Sequence, residues 1–135
     1  MARRRHLSRI AVMQTLFERD ARPADTAASL VRNCGGQEGE ADLEFANALL
    51  DGVLTREEEI KLMVQKHAPG WTLERMDPVS RCTLLLGCFE LLYANDAPPA
   101  VVMNEAIEIA KEFGTPESGK FVNGVLNAIA HRKID

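Results

Sequence analysis

Residues 114–121 read GTPESGKF, and the fold turns on what that stretch is. It nearly matches G-x-x-x-x-G-K-[ST], the loop that cradles nucleotide phosphates between a strand and a helix. Gly114, Gly119 and Lys120 stand in place, and Phe121 occupies the position of the magnesium-ligating hydroxyl. A phosphate loop would impose a sheet and an ATPase or kinase activity. The residues before it argue otherwise, because Val102, Ala106, Ile109, Ala110 and Phe113 recur at helical spacing up to Gly114. No apolar strand followed by Asp supplies the second metal contact either. GTPES reads better as punctuation between two helices: Gly114 a stop, Thr115 an N-cap, Pro116 in the first turn and Glu117 near the positive end of the next dipole.

Helical periodicity extends outward in both directions from that junction. Downstream, Val122, Val125, Leu126 and Ile129 form the stripe of a last helix. Upstream, Asp77 followed by Pro78 is a cap with proline at the first helical position, opening VSRCTLLLGCFELLYA (79–94), which is apolar nearly all round and reads as the central element. Before it, Thr55 and Glu58 spell a capping box for a helix bearing Ile60, Met63, Val64 and His67, which APGW ends. Ala46, Leu49, Leu50, Val53 and Leu54 give a further helix. A short one capped by Asp25 or Thr26 runs through Leu30 and Val31 to Gly35 and Gly36. The first helix is expected over about residues 7–20, with Ile10, Met13, Leu16 and Phe17 on one side. Seven short amphipathic helices without any two-residue alternation predict an all-α bundle, and 135 residues predict a single compact domain over 1–135.

Composition narrows the function. Hydrophobic residues at 46% and charged residues at 27% describe an ordinary globular protein, and no apolar run approaches the about 20 residues of a membrane span. The three cysteines, Cys34, Cys82 and Cys88, form an odd count without a C-x-x-C pair, which fits a reduced, cytoplasmic compartment and predicts neither disulfides nor a zinc site. His6, His67 and His131 are scattered, so no metal cluster and no cofactor are expected. Glu57, Glu58 and Glu59 form a charge run of the kind found on solvated helix faces, and Cys82 and Cys88 lie in the most apolar helix, where thiols pack. Nothing in the pattern demands an enzyme.

The net charge of −4 conceals an asymmetry. Residues 1–10 hold Arg3, Arg4, Arg5 and Arg9 and no acid, leaving 12 basic against 20 acidic side chains in the remainder, a net of −8. A basic N-terminal arm of about residues 1–9 on an acidic body reads either as a nucleic-acid contact or as a solvated tail. Lys120 and Phe121 stand together in the first turns of the last helix, where free N–H groups favour an anion. Phe121 is either a stacking platform or core, and Phe17 carries the same two readings. A basic arm, a cation at a helix start and two aromatics suit single-stranded RNA.

On AVMQTLF, FANALLDGV, FELLYANDAPPAVVMNEAIEIAKEFG and SGKFVNGVLN, together with the arginine-rich start, the sequence resembles the NusB family of bacterial transcription antitermination factors over essentially its whole length. The resemblance implies two small helical bundles packed roughly at right angles, with no catalysis. It implies binding of the boxA element of ribosomal RNA leader transcripts jointly with NusE, a small-subunit ribosomal protein, and action on RNA polymerase with other Nus factors. Carried onto this chain, the RNA surface comprises Arg3, Arg4, Arg5, Arg9, Phe17, Glu117, Ser118, Lys120 and Phe121, and the NusE contact falls near Ser80, Arg81, Leu84 and Glu90. The chain departs from the family at Phe17, often Tyr, at Asn127, where NGVLD is usual, and at Ser80, often polar or acidic. Two alternatives stay open: the RNA-binding domain of a ribosomal RNA-modifying enzyme, which would need a cofactor domain, and a helical interaction module without an RNA role. Monomer and homodimer look alike in one sequence.

Overall fold

The computed structural model describes residues 2–23, 25–37, 41–94 and 97–132. Seven α-helices and no strand occur among these residues, so the helical period prevails throughout, on both sides of GTPESGKF. The chain divides after Thr55 into two compact units.

The first unit contains α1 (Ala2–Ala21), α2 (Thr26–Gly35) and α3 (Leu43–Thr55), each touching the other two. Leu16, Leu30, Leu49, Leu50 and Val53 are all buried and form much of its core. The expected arm is in fact helix: α1 starts at Ala2, so Arg3, Arg4 and Arg5 lie within it. Alanine and arginine are good helix formers and no Gly or Pro interrupts them. Ser8 then ties these turns down, its hydroxyl bonding the Arg4 carbonyl at 2.7 Å and accepting the Asp42 N–H at 2.8 Å. Asp25 is the cap of α2, accepting the N–H groups of Ala27 and Ala28. Asp42 caps α3 through the Phe45 N–H at 3.1 Å.

The second unit contains α4 (Glu57–Lys66), a 3-10 turn (Leu73–Arg75), α5 (Pro78–Phe89), a π-helical turn (Glu90–Ala94), α6 (Pro99–Phe113) and α7 (Ser118–Ala130). Helix α5 touches α4, α6 and α7, and every residue from Cys82 to Cys88 is buried, as its all-round apolarity predicts. The π turn carries the chain on to Ala94. There Tyr93 donates to Glu59 at 2.7 Å while the Arg56 guanidinium lies 4.2 Å from its ring centroid, fastening the turn to the start of α4.

Three expectations fail locally. Thr55 is the last residue of α3, so it cannot take the extended conformation of a cap, and α4 starts after Arg56 without a side-chain cap bond. Thr115 does not cap α7, because Thr115–Glu117 form a turn that places the helix start at Ser118. Phe113 is 38% exposed rather than core, since it is the last residue of α6, where the chain leaves the packed face.

Candidate nucleic-acid interface

Within the second unit, the ends of two connections meet. The segment from Trp71 to Asp77 leads into α5, and the turn from Gly114 to Glu117 leads into α7. Asp77 joins them: Oδ1 accepts the Ser80 N–H at 2.9 Å, capping α5, and Oδ2 accepts the hydroxyls of Ser80 and, at 2.9 Å, of Ser118. Burial works against the charged carboxylate, but the bonds from Ser80, Ser118 and the Val79 N–H outweigh it and hold Asp77 below the usual carboxylate range. Ser118 is saturated. Its single hydrogen goes to Asp77, and its oxygen takes the Thr115 N–H at 2.8 Å and the Thr115 hydroxyl at 3.0 Å. Gly114 has to be glycine for this closure, because a Cβ there would stand 2.5 Å from Ser118 Oγ and 2.7 Å from the Ala110 carbonyl.

On this frame sits an open cleft of about 630 Å³ lined by Trp71, Arg75, Met76, Asp77, Thr115, Glu117, Ser118, Lys120 and Phe121. Its floor is apolar, with Met76 buried and the half-buried Phe121 ring 5.5 Å from the exposed ring of Trp71, inclined at 59°. Arg75 and Lys120 are exposed at the rim, as is Glu117. The four charged groups, Arg75, Lys120, Asp77 and Glu117, balance to zero. The positive end of the α7 dipole tips the region toward an anion. Since both oxygens of Asp77 are engaged in structure, the carboxylate in the cleft is a brace and not a general acid or base.

The structure brings Glu117, Ser118, Lys120 and Phe121 together, though Ser118, 1% exposed and saturated, frames the site instead of meeting a ligand. The remaining expected RNA residues are all on α1 in the first unit. Arg3 and Arg4 are exposed, and Phe17 is 40% exposed. Arg5 and Arg9 are engaged with Phe45, their guanidinium carbons 4.7 and 5.1 Å from its ring centroid, and Arg9 is 2% exposed. Arg9 is therefore corrected from a phosphate contact to a packed cation. Ser80, Leu84 and Glu90 are buried as well, so they present no face to NusE. Ser80 faces inward because its hydroxyl serves Asp77, and Leu84 because α5 is the core helix. Arg81 is half-buried and donates to the Leu73 and Met76 carbonyls at 3.2 and 3.4 Å.

Trp71, Arg75 and Met76 belong to no motif, and APGW by itself reads only as a helix stop. The available signal was the chain's single tryptophan directly after Gly70, whose φ of +87° is the left-handed conformation that glycine takes without strain.

An all-helical fold bearing an aromatic cleft with a charged rim on a structural brace has the make-up of a binding protein. The NusB family matches residues 6–131. The transcription antitermination protein NusB of Bacillus licheniformis is 39% identical over 126 residues, covering 93% of this chain and 95% of that protein. The solved NusB of T. maritima superposes with a TM-score of 0.84 at 35% identity, covering 93% of this chain and 89% of that one. A structure of the antitermination factors NusB and NusE in complex with dsRNA superposes with a TM-score of 0.85 at 28% identity, covering 96% and 98%. The chain belongs to the NusB family.

Proposed function

We propose that this chain is a non-catalytic transcription antitermination factor of the cytoplasm. It binds boxA RNA of ribosomal RNA leader transcripts jointly with NusE and acts on RNA polymerase with other Nus factors. The observation that carries this reading is the cleft at the start of α7, in a chain whose structural relative is a NusB bound to NusE and dsRNA. Arg3 and Arg4 attract the RNA backbone, Lys120 meets a phosphate beside the α7 N-terminus, Phe121 offers a ring to a base, and Glu117 stands at the rim. The exposed Phe17 offers a second ring. NusE completes the surface through residues other than the buried Ser80, Leu84 and Glu90. No helix among the described residues is long and apolar enough to cross a membrane.

The test is fluorescence anisotropy with labelled boxA and scrambled RNA, with and without NusE, at two salt concentrations. Affinity for boxA is expected to rise when NusE is added and to fall steeply with salt, since backbone neutralisation releases counterions. Equal affinity for the two RNAs in the presence of NusE would sink the reading.

A further inference from the structure

We infer that Asp77 and Ser118 are positioning residues for the RNA: the bond from the Ser118 hydroxyl to the Asp77 carboxylate sets where α7 begins, and with it the aim of Lys120 and Phe121. This rests on the RNA-binding reading above. The anchoring of α7 carries the first part of the argument. Its buried apolar side chains Val122, Val125, Leu126 and Ile129 all lie on the C-terminal side of Lys120 and Phe121. In the first turn Gly119 has no side chain, Lys120 is exposed and Phe121 lines the cleft, whereas the buried Ser118 bonds inward. Glu117, the residue before the helix, makes no side-chain cap bond. The start of α7 is therefore tied to the lead-in of α5 by a hydrogen bond that spans 41 residues of chain.

Directionality carries the second part. Apolar packing is indifferent to orientation and tolerates small rotations of a helix, whereas a hydrogen bond weakens steeply once donor and acceptor leave a narrow range of distance and angle. Lys120 and Phe121 follow Ser118 on the same turn, so a rotation of Ser118 about the helix axis turns the ammonium and the ring by the same angle. Ser118 also passes the constraint backward, because its oxygen accepts the Thr115 N–H at 2.8 Å and closes the turn that carries Glu117.

The chemistry of the acceptor carries the third. Burial works against the charge of Asp77, yet the bonds from Ser80 and Ser118 hold its carboxyl below the usual range, so at neutral pH both oxygens only accept. Oδ1 takes the Ser80 N–H, and Oδ2 takes the hydroxyls of Ser80 and Ser118. An amide in this place would keep the first oxygen and present a donor where the second stood. The cap of α5 would survive and the tie to α7 would not. A chain whose α7 start is correctly set only part of the time binds with its affinity reduced by that fraction, and the net worth of one hydrogen bond corresponds to a loss of about 3- to 10-fold.

The full chain and its variants are titrated into labelled single-stranded boxA RNA and its scrambled counterpart with NusE present, following anisotropy, while urea unfolding establishes that each is folded in the assay. Asp77→Asn removes a negative charge from the lining of the cleft, so electrostatics alone would tighten the hold on a phosphate backbone. The positioning role predicts the opposite sign, binding weaker by about 3- to 10-fold. Ser118→Ala, which leaves the charge unchanged, should weaken binding by a similar factor, and the double variant by no more than either alone, since both changes break the same bond. Asp25→Ala removes the cap of α2 in the first unit and should leave affinity as it is, which separates positioning from a general loss of stability. Either single variant binding as tightly as the parent chain or more so, losses that add in the double variant, or an equal loss in Asp25→Ala overturns the inference and leaves the RNA reading intact. A parent chain that binds boxA and scrambled RNA alike overturns both.

Discussion

The two groups of residues expected to meet RNA are built on opposite principles. On α1, four arginines share the first turns of a helix with no acid among them, and two of the four are engaged with Phe45. At the start of α7, charges balance, and the site consists of rings held by a hydrogen-bonded brace. The first arrangement acts at a distance and is screened by salt beyond a Debye length of about 8–10 Å. The second acts only on contact, where shape and stacking count. Attraction and recognition are thus carried by different helices, and damage to each should be read with a different instrument.

The largest effect is expected from removing the brace. Asp77→Ala deprives α5 of its cap and strands the buried hydroxyls of Ser80 and Ser118, which together should lower stability by about 2–3 kcal/mol in urea unfolding. A loss under about 0.5 kcal/mol would mean that the cleft does not depend on this carboxylate. The same residue sets a pH dependence. Its folded pKa lies below the unfolded value, so the folded chain binds fewer protons there, and the stability it contributes is present at neutral pH and lost as pH falls below about 4. Asp77→Asn, which retains a capping side chain, should flatten that acid limb. An unchanged limb would assign it to other carboxylates.

Next in size, Phe45→Leu should cost about 1–2 kcal/mol by releasing Arg5 and the buried Arg9 from the ring. A neutral result would show that the arginines of α1 are held by something other than Phe45. Smaller again, replacing Arg3 and Arg4 by Gln should leave stability within about 0.5 kcal/mol while reducing the salt slope of single-strand binding by at most about 1.4. Loss of stability with an unaltered slope would reverse the division of labour between the two helices. The smallest effect concerns the thiols: Cys34, Cys82 and Cys88 are buried, and burial pushes Cys88 up to about 12 despite the opposing charge of Arg132. A thiol reagent at neutral pH is expected to react only as the chain unfolds, and fast labelling of Cys82 or Cys88 in the native protein would contradict the packing of α5.

Much of the fold was legible because its signals are local. The α5 cap needs only Asp77, Pro78 and the chain that follows them, and the stripe Ala46, Leu49, Leu50, Val53 is a periodicity of one helix. The readings that failed required knowing where a neighbouring element ends. Thr55 and Glu58 have the spacing of a capping box, yet α3 runs one residue too far for it. Thr115 has the chemistry of a cap, yet Ser118 reaches back to its N–H. In the site, Lys120 and Phe121 could be singled out from GTPESGKF alone, whereas Trp71 and Arg75 lie more than forty residues away and are brought to them by the packing of α5 on α7 and the brace between Asp77 and Ser118.

By itself the sequence determined the helical class, since the period of 3.6 excluded the strand that a phosphate loop requires. It also determined where charge is concentrated, and through its long motifs the family. Tertiary structure decided which polar groups are available. A serine, an arginine or a glutamate carries the same chemistry in any sequence, but Ser118 is saturated by Asp77 and Thr115, Arg9 is packed with Phe45, and Ser80, Leu84 and Glu90 are buried. Hydrogen-bond capacity and solvent access are properties of what surrounds a side chain, and that surrounding is assembled from residues distant along the chain.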